Sequence, residues 1–305
     1  MPQHWHDIPA APASAFKDST LASFDASVAE RVFHTSGTTA RLSGRHYVER
    51  VALYDAALLA GFERFMLSDG ARLRYLLLVP DPRHNAHSSL GHMMHCVAAA
   101  RGDGRTAYFL EDDRIDAARF ARAMQSAIDE AQPVCIAATA FALVSLLDAL
   151  ESTGTRFTAP PGSRVMETGG FKGRTRAVER GELYARAERT FGIGQRSIVA
   201  EYGMTELLSQ YYDTLESRAG AERCKTGPPW LRALLVDAHG RRIATANRAG
   251  YLRHVDLANQ SSVIAVQTED RAYLVDGGFV LLGRELDAPA RGCSLDAEDL
   301  LASGR

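Results

Sequence analysis

The stretch Glu201-Tyr202-Gly203-Met204-Thr205-Glu206 follows the apolar run Ser197-Ile198-Val199-Ala200. The run predicts a strand and Gly203 a tight turn, so a hydroxyl and a carboxylate are expected at the carboxyl end of a sheet, where ligands of α/β proteins bind. Thr205 is suited to bond the α-phosphate of a nucleotide, and Glu206 to hold Mg²⁺ through an oxygen. The alternative is a helix N-terminus, with Thr205 as the cap and Glu206 in the first turn.

Upstream of this stretch, apolar runs alternate with helical periodicity between about residues 35 and 212. Helices are predicted over residues 51–65, from residue 112 onward and over 141–150, and strands over 73–79, 134–138 and 164–166. This alternation predicts crossover units and a largely parallel sheet.

Downstream, the pattern changes after Gly227-Pro228-Pro229. Leu234-Leu235-Val236, the turn Asp237-Ala238-His239-Gly240 and short apolar segments near Val263 and Leu281 favour antiparallel strands. We therefore expect an α/β nucleotide- and acyl-binding core over residues 1–215, a β-rich subdomain over 216–285 and a tail over 286–305.

Composition excludes several classes of function. The 305 residues carry a formal net charge of −2, which leaves no basic excess for nucleic-acid binding. The apolar stretch 137–150 is interrupted by Thr139, Ser145 and Asp148, which favours a buried helix over stable membrane insertion. The N-terminus has no secretory pattern, so a cytoplasmic location is expected. The cysteines match no metal-ligand spacing and are expected to be reduced thiols (Cys96, Cys135, Cys224 and Cys293).

A second candidate motif is His34-Thr35-Ser36-Gly37-Thr38-Thr39, which follows the strand-like Val32-Phe33. Small residues let backbone N–H groups turn toward an anion, and the hydroxyls add donors, so this loop is suited to the outer phosphates of a nucleotide. It lacks the Lys-Ser/Thr ending of a Walker loop. A plain Ser/Thr/Gly turn is the alternative.

Two further motifs contain turns. In Glu167-Thr168-Gly169-Gly170-Phe171-Lys172-Gly173 the paired glycines allow close approach of a flat adenine ring, and Lys172 is placed to neutralise phosphate or carboxylate charge. In Gln267-Thr268-Glu269-Asp270, followed by Gly283-Arg284, an acidic residue is suited to accept from ribose hydroxyls. Surface turns are the alternative for both.

The order of these motifs resembles that of the adenylate-forming superfamily, which includes acyl-CoA synthetases and luciferase-like enzymes, over roughly residues 12–300. Glu167 to Gly173, the ending Arg291-Gly292-Cys293-Ser294-Leu295 and the short length resemble the LuxE-type acyl-protein synthetases, or long-chain-fatty-acid luciferin-component ligases. The resemblance implies the layered parallel sheets of an adenylate-forming N-terminal domain plus a small antiparallel subdomain, without the mobile C-terminal domain of larger relatives.

The resemblance also implies ATP and Mg²⁺ as cofactors. Thr35 to Thr39 would be the phosphate loop and Gly169-Gly170 would border adenine, while Tyr202 belongs to the motif in which Thr205 and Glu206 serve phosphate and Mg²⁺. Asp270 with Arg284 would hold ribose. The first loop departs from the superfamily because Thr39-Ala40-Arg41 replaces the usual Pro-Lys-Gly ending, so Arg41 or Arg45 is expected to supply the charge.

The function expected from this resemblance is ATP-dependent activation of a carboxylic, fatty acid to acyl-AMP and its transfer to a protein thiol. Lys172, Thr205, Glu206 and Cys293 are the expected catalytic residues. The thiolate of Cys293, beside Arg291, is the internal nucleophile, with an ordinary tail cysteine as the alternative. The partners would be the acid and an acyl-accepting reductase or carrier. A stand-alone ligase acting on coenzyme A or an amine, and a non-catalytic nucleotide-binding module, are the other hypotheses.

Overall fold

The computed structural model describes residues 2–35, 43–111, 114–169, 179–220 and 222–284. Its α-helices are α1 (Ala15–Asp18), α2 (Val51–Met66), α3 (Ser89–Arg101), α4 (Ala117–Asp129), α5 (Ala140–Ser152) and α6 (Arg180–Phe191). Its short 3₁₀ helices are Trp5–Asp7, Ala26–Val28, Gln195–Ser197 and Ser217–Ala219.

The strands before the second half of the chain are β1 (Ala11–Pro12), β2 (Arg31–His34), β3 (Arg45–Val48), β4 (Arg74–Leu78), β5 (Ala107–Tyr108), β6 (Leu110–Glu111), β7 (Arg114–Ile115) and β8 (Val134–Thr139). The later strands are β9 (Arg164–Thr168), β10 (Ile198–Tyr202), β11 (Tyr211–Asp213), β12 (Cys224–Thr226), β13 (Leu231–Val236), β14 (Arg242–Ile243), β15 (Ala249–Asp256), β16 (Ala265–Val275) and β17 (Gly278–Arg284).

The described residues form two compact units. The first unit contains those within residues 2–61 and 202–284, and the second those within 62–201. The sequence-based boundaries at residues 215 and 285 are a separate expectation and stay predictions.

The second unit is built on parallel strands in the order β10-β9-β8-β4-β5. Strands β4 and β8 are buried at every position, because a parallel sheet with helices on its faces has no solvent-exposed side. Helix α5 begins after Thr139, whose hydroxyl accepts a hydrogen bond from the Ala142 N–H at 3.1 Å. Helices α4, α5 and α6 share one apolar core with β4 and β8. The predicted alternation of strands and helices is confirmed here.

The first unit contains the antiparallel strands in the order β14-β13-β15-β16-β17-β12-β11, with β1 parallel to β16. A separate hairpin joins β2 to β3. Along β15 and β16 buried and part-buried positions alternate over much of each strand, as expected of antiparallel strands with one covered face. The antiparallel strands predicted after Gly227 are confirmed. None of the helices in the described residues combines the length and apolar character needed to cross a bilayer.

Candidate nucleotide site

Thr205 and Glu206 lie in a turn that links β10 to β11, which we call the 203–210 turn. Both residues are buried, with 1% and 3% of their surfaces exposed. No helix begins at Thr205, because residues 203–210, all described, contain turns and bends only. The helix N-cap alternative is therefore wrong, and burial of a hydroxyl and a carboxylate here needs another explanation.

Two side chains hold the backbone of this turn. The Nδ1 of His46, on β3, lies 2.6 Å from the carbonyl oxygen of Thr205, so it donates its proton there. The side-chain amide of Asn259 donates from Nδ2 to the carbonyl oxygen of Glu206 at 2.9 Å, and from the same nitrogen to that of Val263. The carbonyl groups of Thr205 and Glu206 are thus bound by side chains that are distant in sequence. His46 is 159 residues from Thr205, and Asn259 is 53 residues from Glu206.

A buried carboxylate holds the end of the same turn. Asp256, the last residue of β15, accepts from the backbone N–H of Leu208 at 2.9 Å and from the Ser209 hydroxyl at 2.8 Å. It also accepts from the backbone N–H of Ala258 at 3.0 Å. Burial raises the pKa of Asp256, while these hydrogen bonds lower it. The 203–210 turn is therefore fixed along its length by His46, Asn259 and Asp256.

The base of the predicted phosphate loop meets this turn. Thr35 donates its backbone N–H to the carbonyl of Gly44 at 2.8 Å and accepts the N–H of Gly44 on its hydroxyl at 2.7 Å. A Cβ on Gly44 would lie 3.0 Å from backbone atoms of Phe16, so glycine permits this close approach. The Thr205 hydroxyl donates to the carbonyl of His34 at 3.4 Å. Ser36, Gly37, Thr38 and Thr39, together with Arg41, lie outside the described residues.

Asp270, the predicted ribose acceptor, contacts Tyr202, which lies near the start of the Glu201–Glu206 motif. The hydroxyl of Tyr202 donates to Oδ2 of Asp270, on β16, at 2.9 Å. Asp270 stands in register opposite Arg284 on β17; the side chain of Arg284 lies outside the described part of the chain. The structure therefore brings Tyr202 and Asp270, which are 68 residues apart in sequence, into direct contact.

Tyr202 and Asp270 belong to a larger buried network that also contains His254 and Tyr211. Nε2 of His254 lies 3.3 Å from the Tyr202 hydroxyl, and its Nδ1 lies 3.0 Å from the Tyr211 hydroxyl. Burial lowers the pKa of His254 to about 4, and the Asp270 carboxylate opposes that shift. Burial also raises the pKa of Tyr211, so both groups are neutral near neutral pH.

Glu206 is the predicted metal ligand. Its carboxylate is the hard oxygen donor that Mg²⁺ prefers, and Mg²⁺ in nucleotide enzymes commonly takes one or two carboxylates plus phosphate oxygens and water. Its backbone oxygen accepts from Asn259, and the predicted ligand atoms are the oxygens of its buried side chain. The donor chemistry therefore fits magnesium.

In the second unit, Gly169 follows β9 with a φ of 79°, a conformation that favours glycine. Buried carboxylates stand at the same strand ends: Glu167 accepts from the Tyr184 hydroxyl at 2.6 Å, and Glu201 accepts from the Thr168 hydroxyl. Gly170 and Lys172 lie outside the described residues. The close backbone approach predicted at Gly169 is compatible with this geometry, and its role stays a prediction.

In the described part of the chain, Cys96, Cys135 and Cys224 form no disulfide. Burial raises the pKa of Cys135 to about 12, so this thiol is unreactive. Cys293 lies outside the described residues.

The sequence motifs did not include His46, His254, Asp256 or Asn259. For His254 and Asp256 the sequence contains a signal. Together with Leu252 they occupy every second position of one strand, so the three side chains share its buried face. Polar residues at inward positions of a strand indicate a buried network, although the partners cannot be read from the strand itself.

Neither a family model nor a curated protein sequence matches the chain. Solved structures do match in fold. ATP-bound MatB from Rhodopseudomonas palustris superposes with a TM-score of 0.55 at 15% identity, over 83% of this chain and 47% of that chain. McyG A-PCP complexed with phenylalanyl-adenylate gives 0.59 at 15% identity, over 88% and 49%.

A third structure, an open conformation of 2-hydroxyisobutyryl-CoA ligase in complex with 2-HIB-AMP and CoA, gives a TM-score of 0.62 at 13% identity, over 92% of this chain and 61% of that chain. The chain spans about half of the length of MatB and McyG A-PCP. At these identities the likeness concerns the fold, and the predicted α/β fold class, with a parallel sheet and antiparallel strands, is confirmed.

Proposed function

We propose that this chain binds ATP and uses it to convert a carboxylic acid into an acyl adenylate. The proposal depends on one observation: motifs that were predicted separately from the sequence contact one another inside the first unit. The Thr205 hydroxyl bonds the residue that precedes Thr35, and the Tyr202 hydroxyl bonds Asp270. A phosphate-binding loop and a ribose acceptor would thus flank one buried turn.

The solved structures of the same fold support the proposal by what they contain. MatB was solved with ATP, McyG A-PCP with phenylalanyl-adenylate and 2-hydroxyisobutyryl-CoA ligase with 2-HIB-AMP. The shared chemistry of these ligands is ATP or an acyl group joined to AMP.

The reaction follows from the leaving-group problem of a carboxylate. A carboxylate oxygen of the acid attacks the α-phosphorus of ATP, an O–P bond forms, and the bond to the β-phosphate oxygen breaks to release pyrophosphate. Two anions meet, so the site must supply donors and positive charge. Thr35 to Thr39 would bind phosphate oxygens through N–H and hydroxyl groups, Thr205 would bond the α-phosphate and Lys172 would neutralise charge. When bound to Glu206, Mg²⁺ would supply further charge compensation.

We propose that the acyl group then passes to a protein thiol, as in the LuxE-type acyl-protein synthetases that the sequence resembles. The thiolate of Cys293 would attack the acyl carbon, a C–S bond would form and AMP would leave with the electron pair of the C–O bond. A fatty acid substrate and an acyl-accepting reductase or carrier complete this proposal.

Coenzyme A is the second candidate acceptor, since one structure of the same fold contains CoA beside an acyl adenylate. The two acceptors are separated by the fate of labelled acid, which is protein-bound in one case and CoA-bound in the other.

Acid-dependent exchange of labelled pyrophosphate into ATP tests the activation step, with a panel of fatty and aryl acids and Mg²⁺. We expect exchange in the wild type and a large loss in Asp270→Asn, with Asp276→Asn, on the turn after β16, as the matched control. ATP binding without exchange for any acid would favour the non-catalytic nucleotide-binding module instead.

Incubation with ATP and labelled fatty acid tests the covalent step. We expect a protein-bound label that neutral hydroxylamine releases, as it releases a thioester and leaves an amide intact. Cys293→Ser should retain exchange and lose the label, while Cys224→Ser, which changes a half-buried thiol on β12, should retain both. Normal transfer in Cys293→Ser would instead favour direct attack by the acceptor's own thiol.

A further inference from the structure

Four buried side chains of the first unit form one chain of hydrogen bonds. Tyr211 meets Nδ1 of His254 at 3.0 Å, Nε2 of His254 meets Tyr202 at 3.3 Å, and Tyr202 meets Oδ2 of Asp270 at 2.9 Å. The exposed fractions are 2%, 0%, 9% and 3% along that order. Because these side chains are buried, each proton in the chain needs an assigned donor and acceptor.

The protons can be assigned from the acceptor end. The Tyr202 hydroxyl has a single proton, and of Nε2 of His254 and the carboxylate of Asp270 the carboxylate is both the closer and the stronger acceptor. The oxygen of Tyr202 therefore accepts from Nε2–H of His254. Because the ring is neutral, with a pKa lowered by burial to about 4, its Nδ1 has no proton and accepts from the Tyr211 hydroxyl.

We infer that Tyr211 and His254 are positioning residues for the ribose end of the proposed nucleotide site. Tyr211 holds His254 in its Nε2–H tautomer, and His254 in turn directs the Tyr202 proton to Asp270. Without the Tyr211 hydroxyl, the imidazole proton can move to Nδ1. Nε2 then becomes an acceptor that competes with Asp270 for the Tyr202 proton, which weakens the hydrogen bond from Tyr202 to Asp270. The inference rests on the proposed function, in which Asp270 accepts from ribose.

The Tyr211→Phe variant isolates this effect. The rings of Tyr202 and Tyr211 both pack against Phe279, with centroid distances of 5.8 and 5.1 Å, and phenylalanine keeps this contact. Tyr273→Phe is the matched control, because Tyr273 lies on the same strand as Asp270, is partly exposed and bonds Glu222 instead of the network.

Long-range ¹H–¹⁵N spectra of the full-length protein report the imidazole tautomer directly. We expect the Nε2–H form of His254 in the wild type and in Tyr273→Phe, and an increased Nδ1–H fraction in Tyr211→Phe. Kinetically, Tyr211→Phe should raise the KM for ATP roughly 10-fold, the size of one hydrogen bond, with little change in kcat. It should also reduce the preference for ATP over 2′-deoxy- and 3′-deoxy-ATP.

The outcomes separate the two proposals. An Nδ1–H tautomer in the wild type overturns the proton assignment whatever the activity. Unchanged ribose preference in Tyr211→Phe together with a lost preference in Asp270→Asn overturns the positioning role and retains the proposed function. A wild type that does not distinguish ATP from either deoxy analogue overturns the positioning role together with the ribose role of Asp270, whereas a wild type without pyrophosphate exchange for any acid overturns the proposed function. His254→Gln, which cannot reproduce the two-sided ring contacts, should resemble Tyr211→Phe and provides a second variant if that one folds poorly.

Discussion

The network of the first unit and the apolar core of the second unit bury their side chains for different reasons. In the core shared by α4, α5 and α6, rings pack on rings: the centroid of Phe120 lies 5.3 Å from that of Phe109 and 5.9 Å from that of Phe191. In the first unit, the buried groups around the 203–210 turn include His46, His254, Asp256 and Asp270. Burial of apolar surface stabilises a fold directly, whereas burial of a polar group costs free energy unless hydrogen bonds compensate.

This difference separates a scaffold from a candidate site. Titratable groups with pKa values shifted by burial concentrate at functional sites, although structural networks also shift them. In the second unit, the buried Arg186 pairs with Asp148 and Glu151, which are partly exposed. We therefore expect substitutions in the apolar core to change stability, and substitutions around the turn to change activity.

The largest effect on stability is expected from Phe120→Ala. The ring is fully buried, so its removal leaves a cavity and should lower the free energy of unfolding by about 3–5 kcal/mol. Urea denaturation measures this loss, and pyrophosphate exchange per folded molecule should stay near the wild-type value. Leu215→Ala, at a side chain that is 58% exposed, is the control and should change stability little. A stable Phe120→Ala protein with impaired exchange would contradict the separation.

Glu206→Gln tests the other half of the comparison. The amide keeps the shape of the side chain and removes its charge, so exchange should fall about 10²- to 10³-fold, as when one electrostatic contact to a transition state is lost. Thermal unfolding should change little. Glu216→Gln, at an exposed glutamate nearby in sequence, should retain exchange. Wild-type exchange in Glu206→Gln would remove this carboxylate from the proposed mechanism.

Several elements were predictable from the sequence because they depend on local periodicity, although the helix expected from residue 112 begins only at Ala117, after β7. The helix expected over residues 51–65 is Val51–Met66, and the strand expected over 134–138 is Val134–Thr139. The motif residues were predictable for a similar reason, since hydroxyls, glycines and carboxylates cluster in short segments.

The contacts of the site were not predictable in the same way. His46 reaches Thr205 across 159 residues and Tyr202 reaches Asp270 across 68, so these contacts depend on strand order and register. Alternation along β15 indicates that His254 is buried but contains no information on its partners.

His46→Ala is expected to have an intermediate effect. The carbonyl of Thr205 would lose its donor inside the protein, which costs about 1–3 kcal/mol for a buried group. The 203–210 turn should loosen, and exchange should fall by less than in Glu206→Gln. His46→Asn offers an amide donor at a similar reach and should recover part of both losses. If His46→Ala matched the wild type in denaturation and exchange, the turn would not depend on this contact.

The smallest effect is expected from the pH dependence of His254. Burial lowers its pKa from 6.5 to about 4, so between these values the unfolded chain binds a proton that the folded chain does not. The stabilising contribution of the neutral ring is therefore fully present above pH 6.5 and is lost as the pH falls toward 4. By proton linkage, this residue alone should lower the free energy of unfolding by about 1 kcal/mol between pH 6 and pH 5.

The variant His254→Gln removes this proton site while His46 and Asp256, whose pKa values burial shifts in opposite directions, remain in both proteins. Urea denaturation at pH 6 and pH 5 should therefore show a shallower fall in stability for His254→Gln than for the wild type. His239→Gln, at an exposed histidine in the turn between β13 and β14, should show the wild-type slope. Equal slopes for wild type and His254→Gln would mean that His254 titrates in the folded protein as it does in the unfolded chain, and the neutral ring required for the Tyr211 contact would then be protonated at pH 5.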